Sequence, residues 1–141
     1  MNYLSNLSGP LRDRLDMVVT LSGQAATINA QGEENSAVIA ERVAAARERA
    51  AARWWADGIS ALTNGEVPSS YLRRKRPAAD AAMVMLSAYL AEGEISQRGV
   101  DRVLRLSWTL ADLAGKMQPD LDEVGRALDL RGSINVGRLA A

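Results

Sequence analysis

From residue 36 onward, the apolar positions of the chain recur at the spacing of an α-helix. In the first of these segments they follow one another at intervals of four, three, four and four residues: Ile39, Val43, Ala46, Ala50 and Trp54. This spacing draws one apolar stripe along a helix that ends near Trp55. Ser36 precedes the stripe and has a side chain suited to capping a helix N-terminus. The pattern therefore predicts a long helix that begins at Ser36.

Four further helices are expected downstream. Asp57-Gly58 and Asn64-Gly65 are turn signals and indicate a loop over residues 57–67. The helices after the loop are predicted over residues 68–76, 77–92, 96–115 and 119–132. Proline suits a first helical position, serine caps an N-terminus, and glycine favours the end of a helix.

The helix over residues 96–115 has the sharpest pattern. At 100° per residue, seven of its residues fall within a wedge of about 120°: Val100, Val103, Leu104, Ser107, Leu110, Ala111 and Ala114. The opposite face carries Arg98, Arg102, Arg105, Thr109 and Asp112. We expect the three arginines to form a stripe that points away from the core.

Residues 15–21 are β-branched and apolar and predict the only strand of the chain. A single strand cannot form a sheet, because its backbone groups need partners. Its neighbours are therefore expected to be missing or supplied by another chain. Residues 22–35 predict a solvated linker, and the tail from Ser133 is expected to be frayed. The predicted fold class is all-α: a helical bundle over residues 36–132, preceded by one orphan β-strand.

Composition excludes several classes of protein. The 141 residues include 17 Lys plus Arg and 17 Asp plus Glu, so the chain is not a globally basic nucleic-acid binder. The chain has no Cys and no His, which excludes a disulfide framework, a zinc finger, a thiol nucleophile and a Ser-His-Asp triad. No apolar run approaches the roughly 18 residues that span a bilayer, and no signal peptide is evident. We expect a cytoplasmic protein without a membrane partner.

Two clusters of arginines are candidates for chemistry. The stripe on the helix over residues 96–115 is either a solvated face or an anion clamp, in which planar guanidinium groups match phosphate oxygens. The basic run at residues 73–76 is either a solvated helix end or a contact to a nucleic-acid backbone. In the second interpretation, the DNA-contacting residues are Arg73, Arg74 and Arg76.

The phosphate-binding loop G-x-x-x-x-G-K-S/T is absent from the sequence. The chain therefore lacks the usual means of holding a nucleoside triphosphate. Arg12-Asp13-Arg14 lies directly before the predicted strand, and its simplest interpretation is a local Arg-Asp pair.

Three segments match the motifs of a known family. Residues 3–16 contain S-G-P-L-R-D-R-L-D, similar to S-G-P-L-L-D-R-[IV]-D. Residues 35–47 are similar to S-x-x-[IV]-x-E-R-V-x-A-A-R, and residues 96–113 to S-x-R-x-x-D-R-[IV]-L-R-[VL]-x-x-T-[IL]-A-D-L. In these motifs, and over most of residues 3–131, the chain resembles magnesium-chelatase-like AAA+ ATPases of the ComM (YifB) type.

The resemblance implies a AAA+ C-terminal helical lid. The nucleotide site of such proteins lies in an α/β core upstream. Residues 1–21 would then be the C-terminal end of the core, with the arginine-finger segment and the last core strand. Residues 22–35 would be the linker, 36–132 the lid and 133–141 the tail. ATP and magnesium would bind to the full-length parent, whereas this chain alone would bind neither.

The resemblance also implies roles for individual arginines. Arg14 matches the D-R position, which looks like an arginine finger that reaches the γ-phosphate bound to a neighbouring subunit. Arg105 matches the sensor-two arginine of the lid, and Arg102, one turn away, could share or replace that role. Arg12 stands where the family has Leu, so Arg12 and Arg14 both remain candidates for the finger.

The expected function is that of a lid in a ring-forming AAA+ ATPase that remodels DNA, as in ComM-like branch-migration helicases. The parent would be an ATP hydrolase, and this chain alone would not be an enzyme. Its partners would be neighbouring subunits of a homo-hexameric ring, with DNA as a further partner. The isolated chain would be a monomer or a weak dimer. Two alternatives stay open: a freestanding helical module that binds protein or DNA, and the lid of a true magnesium chelatase ATPase subunit.

Overall fold

Helices account for most of residues 8–19 and 34–132, the parts of the chain that the computed structural model describes. A 3-10 turn at Asn64–Glu66 lies between the second and third of them. In chain order the helices are α1 (Gly9–Asp13), α2 (Ser36–Ala56), α3 (Ser69–Arg74), α4 (Asp80–Ala91), α5 (Gln97–Ala114) and α6 (Leu121–Gly132). The expectation of an all-helical bundle is confirmed for these residues.

Helix α5 is the central element of the bundle. Ser96 caps it by accepting a hydrogen bond from the Gly99 amide at 3.1 Å. It ends at Gly115, whose φ of 71° is a left-handed conformation that glycine adopts without strain. Both predicted ends of this helix are therefore confirmed. Helices α2, α3, α4 and α6 and the 3-10 turn all pack against it.

The buried face of α5 is broader than the predicted wedge. Val100, Val103, Leu104, Ser107 and Ala111 are buried as expected, but Ala114 is exposed. Trp108 and Asp112 are also buried, although the pattern placed Asp112 on the solvent face. The prediction was wrong there because α2 and the 3-10 turn cover this flank of α5.

Helix α2 buries only the C-terminal half of its apolar stripe. Ala46, Ala50 and Trp54 belong to the core, whereas Ile39 and Val43 are exposed. Among the described residues, the bundle thus covers α2 from about Ala46 onward. The cap is also one residue earlier than predicted, because Asn35 Oδ1 accepts from the Val38 amide at 2.9 Å.

The predicted start of α4 at Pro77 is wrong, because the helix begins at Asp80. Tertiary hydrogen bonds hold the preceding residues outside the helix. The Ala79 amide donates to Pro119 O at 2.8 Å, and Gln118 Nε2 donates to Pro77 O at 3.0 Å. Trp108 Nε1 donates to Arg76 O at 3.0 Å. The turn between α3 and α4 is therefore fixed to α5 and to the segment that joins α5 to α6.

The predicted strand over residues 15–21 is wrong for the part that the structure describes. Residues 15–19 form no strand. The Val18 amide instead donates to Leu130 O at 3.0 Å, and Arg131 Nη1 donates to Leu15 O at 3.1 Å. No strand lies beside this segment within residues 8–19 and 34–132, so its backbone pairs with the end of α6. The rest of the predicted strand, most of the linker (22–33) and the tail (133–141) lie outside the described residues.

Candidate functional site

Of the arginines predicted to carry chemistry, Arg102 reaches from α5 to the segment that follows α1, whereas Arg105 reaches the start of α3. Arg98, in the first turn of α5, is exposed. Arg102 and Arg105 are half-buried, and each donates hydrogen bonds to other parts of the chain. The arginine stripe therefore exists, but Arg102 and Arg105 use their guanidinium groups to hold other segments of the chain.

Arg102 connects α5 to the finger segment. Its Nη1 donates to Arg14 O at 2.6 Å and to Asp16 Oδ1 at 2.5 Å. The Arg102 side chain is 19% exposed and that of Asp16 is 73% exposed. The structure thus brings together two motifs that lie more than 80 residues apart in the sequence.

Arg14 presents its side chain to solvent from a backbone that is held on both sides. The residue itself is exposed, and its carbonyl oxygen accepts from Arg102. The next residues are held by α6, through Leu15 O and the Val18 amide. Arg14 thus combines an accessible guanidinium group with an anchored main chain. The side chain of Arg12 lies outside what the structure describes.

Arg105 fixes the start of α3. Its Nη2 donates to Val67 O at 3.1 Å and to Ser69 Oγ at 2.9 Å. Its Nε is buried and has no hydrogen-bond partner. No carboxylate pairs with Arg105 in these contacts. A phosphate contact through this side chain would require Nη2 to exchange its present partners or to share them.

The basic run at residues 73–76 is less available than its sequence indicates. Arg73 forms an ion pair with Asp101 on α5. Arg76 Nε donates to Asp57 Oδ2 at 2.7 Å, and this hydrogen bond holds the pKa of the Asp57 carboxyl below its ordinary value. Arg74 and Lys75 are exposed. Two of the three arginines predicted to contact DNA are thus paired with carboxylates.

The structure contains a buried ion pair between α2 and α5 that was not predicted from the sequence. Arg53 Nη1 and Nη2 donate to the two carboxylate oxygens of Asp112, each at 2.7 Å. The guanidinium carbon lies 4.5 Å from the ring centroid of Trp54 and 4.0 Å from that of Trp108. The two indole rings themselves meet edge to face at 5.7 Å. The charge of Arg53 is therefore neutralised by a carboxylate and covered by aromatic rings.

The 3-10 turn completes this cluster. Asn64 Oδ1 accepts from Trp54 Nε1 at 3.0 Å, and Asn64 Nδ2 donates to Asp112 Oδ2 at 2.9 Å. Arg49 Nη1 donates to the Asp112 carbonyl oxygen at 2.7 Å. The only sequence signal for this cluster is an arginine beside two tryptophans in an alanine-rich helix. The cluster holds α2 onto α5 and so fixes the helix that carries the candidate arginines.

The helical bundle belongs to a known class of domain. The family model described as "Magnesium chelatase, subunit ChlI C-terminal" matches residues 33–131. Because this match covers more than half of the chain, the chain belongs to that family.

Particular relatives are found in several bacteria. The chain is 47% identical over 130 residues to an uncharacterized protein of Mycobacterium tuberculosis, which covers 92% of this chain and 25% of the relative. Its identity to an uncharacterized protein of Mycobacterium bovis is also 47%, with the same coverage of both chains. It is 31% identical over 140 residues to Competence protein ComM of Haemophilus influenzae, covering 96% of this chain and 26% of that protein. The chain thus spans about a quarter of the length of the curated relatives it matches.

In the described parts of the chain, no helix combines the length and the apolarity needed to cross a membrane.

Proposed function

We propose that this chain is the lid region of a ring-forming AAA+ ATPase that remodels DNA, and that it offers Arg14 to the ATP site of a neighbouring subunit. Family membership and the similarity to Competence protein ComM support the type of protein. The observation that carries the role of Arg14 is its exposed side chain on a backbone anchored to α5 and α6.

ATP, with magnesium, is the substrate in this proposal. Hydrolysis concentrates negative charge on the oxygens of the transferred phosphoryl group. A guanidinium group supplied from the neighbouring subunit stabilises that charge, because it is permanently positive and presents donors in a planar fork. Arg14 can extend outward for this purpose while its main chain stays in place.

The role of Arg105 as the sensor arginine stays a prediction. Its half-buried guanidinium group already donates to Val67 O and Ser69 Oγ. Arg102 on the same helix is the other candidate for the sensor, and its Nη1 already donates to Arg14 O. Both residues therefore belong in the same series of substitutions, and we expect the sensor arginine to be the one whose loss raises the KM for ATP.

The test of the proposed function is ATP turnover by the full-length protein that carries this chain. Arg14→Ala is expected to lower kcat by at least about tenfold, since arginine fingers contribute on the order of 10³-fold or more. Arg126→Ala, at an exposed arginine on α6 outside the quoted motifs, is the matched control and is expected to leave turnover unchanged.

The finger must also act in trans. A mixture of Arg14→Ala subunits with subunits that lack the lysine of the upstream phosphate-binding loop is expected to recover activity. In mixed rings, the intact ATP site of an Arg14→Ala subunit lies next to a subunit that lacks the lysine but still carries Arg14. Normal turnover by Arg14→Ala, or the failure of every mixture to recover activity, would contradict the role of Arg14.

DNA contact by the basic run is the second part of the proposal. Because Arg73 and Arg76 are paired with carboxylates, we assign the contact chiefly to Arg74 and Lys75. Reversing both charges to Glu in the full-length protein is expected to weaken DNA binding. It should also reduce the slope of log K against log salt by about two, because two phosphates are then no longer neutralised.

The control for DNA binding reverses the same amount of charge elsewhere. Arg47→Glu with Arg126→Glu changes two exposed arginines on α2 and α6. Equal weakening by the two double variants would indicate a general charge effect and would refute a site at the basic run.

The family description itself favours a second candidate, the lid of a magnesium chelatase ATPase subunit. This candidate shares the ATP chemistry and differs in what the ATPase drives. Stimulation of ATP turnover by branched DNA supports the first candidate, and dependence of magnesium insertion into a porphyrin on the protein supports the second.

A further inference from the structure

Arg102 lies one helical turn from Arg105, but its geometry favours a role other than phosphate contact. Arg102 Nη1 carries two hydrogens, and two acceptors lie within hydrogen-bond distance of it: Arg14 O and Asp16 Oδ1. A phosphate contact through this nitrogen would have to displace one of them.

We infer that Arg102 is a positioning residue for Arg14, acting by holding the main chain from which the finger extends. This inference rests on the proposed function of Arg14. The contact to Arg14 O is charge-assisted, and charge-assisted hydrogen bonds are stronger than neutral ones. The Arg102 side chain is largely shielded from solvent, so its geometry is restrained by the packing of α5.

Three anchors act on consecutive parts of the same segment. Arg102 holds Arg14 O, Arg131 holds Leu15 O, and Leu130 O accepts from the Val18 amide. The direction of a side chain follows from the main chain that carries it. The anchors therefore set the direction in which the Arg14 side chain leaves the bundle.

Such positioning matters for a group that must meet a reacting phosphate on another subunit. A misplacement of about 1 Å can reduce the rate of a reaction by about a hundredfold. The anchors also tie the finger to α5 and α6, so a movement of these helices would carry Arg14 with them.

The inference is tested by comparing Arg102→Ala with Arg14→Ala in the full-length protein. If Arg102 acts through Arg14, its loss lowers kcat by about tenfold or more and leaves the KM for ATP unchanged. The double variant is then no slower than Arg14→Ala alone, because both changes remove one function. Multiplicative losses in the double variant, or a raised KM, would overturn the inference.

Subunit mixing separates the two roles more directly. Arg102→Ala subunits are expected to recover activity when mixed with subunits that lack the phosphate-loop lysine, and not when mixed with Arg14→Ala subunits. A residue that binds nucleotide within its own subunit would show the opposite pattern, and that result would overturn the inference.

Asp16→Ala is the second variant, and it removes a partner of Arg102 without touching the core. Its side chain is 73% exposed, so the fold is expected to be unaffected. A fall in kcat, with the mixing pattern of Arg14→Ala, supports positioning. Unchanged turnover in both Asp16→Ala and Arg102→Ala would overturn it. Normal turnover by Arg14→Ala would instead refute the proposed function, so the two failures are distinguishable.

Discussion

Replacing Asp112 by alanine is expected to destabilise the bundle far more than the loss of an ordinary ion pair. Asp112 is 2% exposed and its partner Arg53 is 11% exposed. The substitution removes both 2.7 Å hydrogen bonds from the guanidinium group, and it also removes one of the two acceptors of Asn64 Nδ2, the other being Thr109 Oγ1. Breaking a buried pair in this way costs about 3–5 kcal/mol, because the remaining charge stays buried without its partner.

The chain contains a control of the same chemistry at the surface. Arg42 donates through both of its terminal nitrogens to Glu34, each at 2.8 Å. Both of these side chains are 48% exposed. An exposed pair contributes about 0–1 kcal/mol, since water screens it and its side chains lose conformational freedom. Glu34→Ala should therefore change the free energy of unfolding far less than Asp112→Ala does.

The measurement is urea unfolding of the 141-residue chain, followed by circular dichroism and by tryptophan fluorescence. Trp54 and Trp108 contact Arg53, so the fluorescence change reports on the cluster itself. A small domain has a total stability of about 5–15 kcal/mol, so Asp112→Ala should lower the midpoint substantially. The slope of the transition is expected to stay the same.

A double variant distinguishes the buried charge from loss of packing. Arg53→Met with Asp112→Leu replaces the pair by apolar side chains, and such replacements are often neutral or stabilising. We expect it to be more stable than Asp112→Ala. If Asp112→Ala costs no more than Glu34→Ala, the reasoning from burial is refuted.

Two further predictions concern glycines, one at the end of α5 and one within α6. Gly115→Ala should destabilise the chain by about 1 kcal/mol, because its φ of 71° disfavours a side chain. Gly125→Ala, within α6 and with open space at its Cβ position, should stabilise it by about 0.5–1 kcal/mol; urea midpoints that shift in the same direction would contradict this pair of predictions. The hydrogen bond from Lys116 lowers the pKa of Asp120 from 3.8 to about 2. The stability that Asp120 contributes is therefore complete above pH 3.8 and lost as the pH falls through about 2. In Asp120→Asn the dependence of the unfolding free energy on pH over this interval should flatten, and an unchanged dependence would be evidence against the assignment.

Local signals predicted the elements whose ends are set by their own residues. Ser96 and Gly115 gave both ends of α5, because the capping hydrogen bond and the left-handed φ are local features. The start of α4 could not be found in this way. Its preceding residues are held by Trp108 on α5 and by Gln118 and Pro119 in the segment before α6, all of them distant in the sequence.

The predicted strand is a second case in which contacts with a distant part of the chain decided the structure. The β-branched residues that follow Arg14 favour an extended backbone, but a strand also needs a neighbouring strand. Among the described residues, the backbone of this segment instead forms a hydrogen bond with the end of α6. Likewise, helical periodicity could place Arg102 on the face opposite the core, but it could not identify Arg14 O and Asp16 as its partners. The prediction for Asp112 was wrong because the periodicity indicates a single buried face of α5, whereas α2 and the 3-10 turn also cover a second face.

The central claim concerns where the Arg14 guanidinium group lies when ATP is bound. The most direct measurement is a structure of the full-length protein assembled with a non-hydrolysable ATP analogue. We expect the guanidinium group within about 3 Å of the γ-phosphate oxygens of an analogue bound to the adjacent subunit, the range of a charge-assisted hydrogen bond. An Arg14 side chain in solvent, or one directed to the nucleotide of its own subunit, would contradict the account.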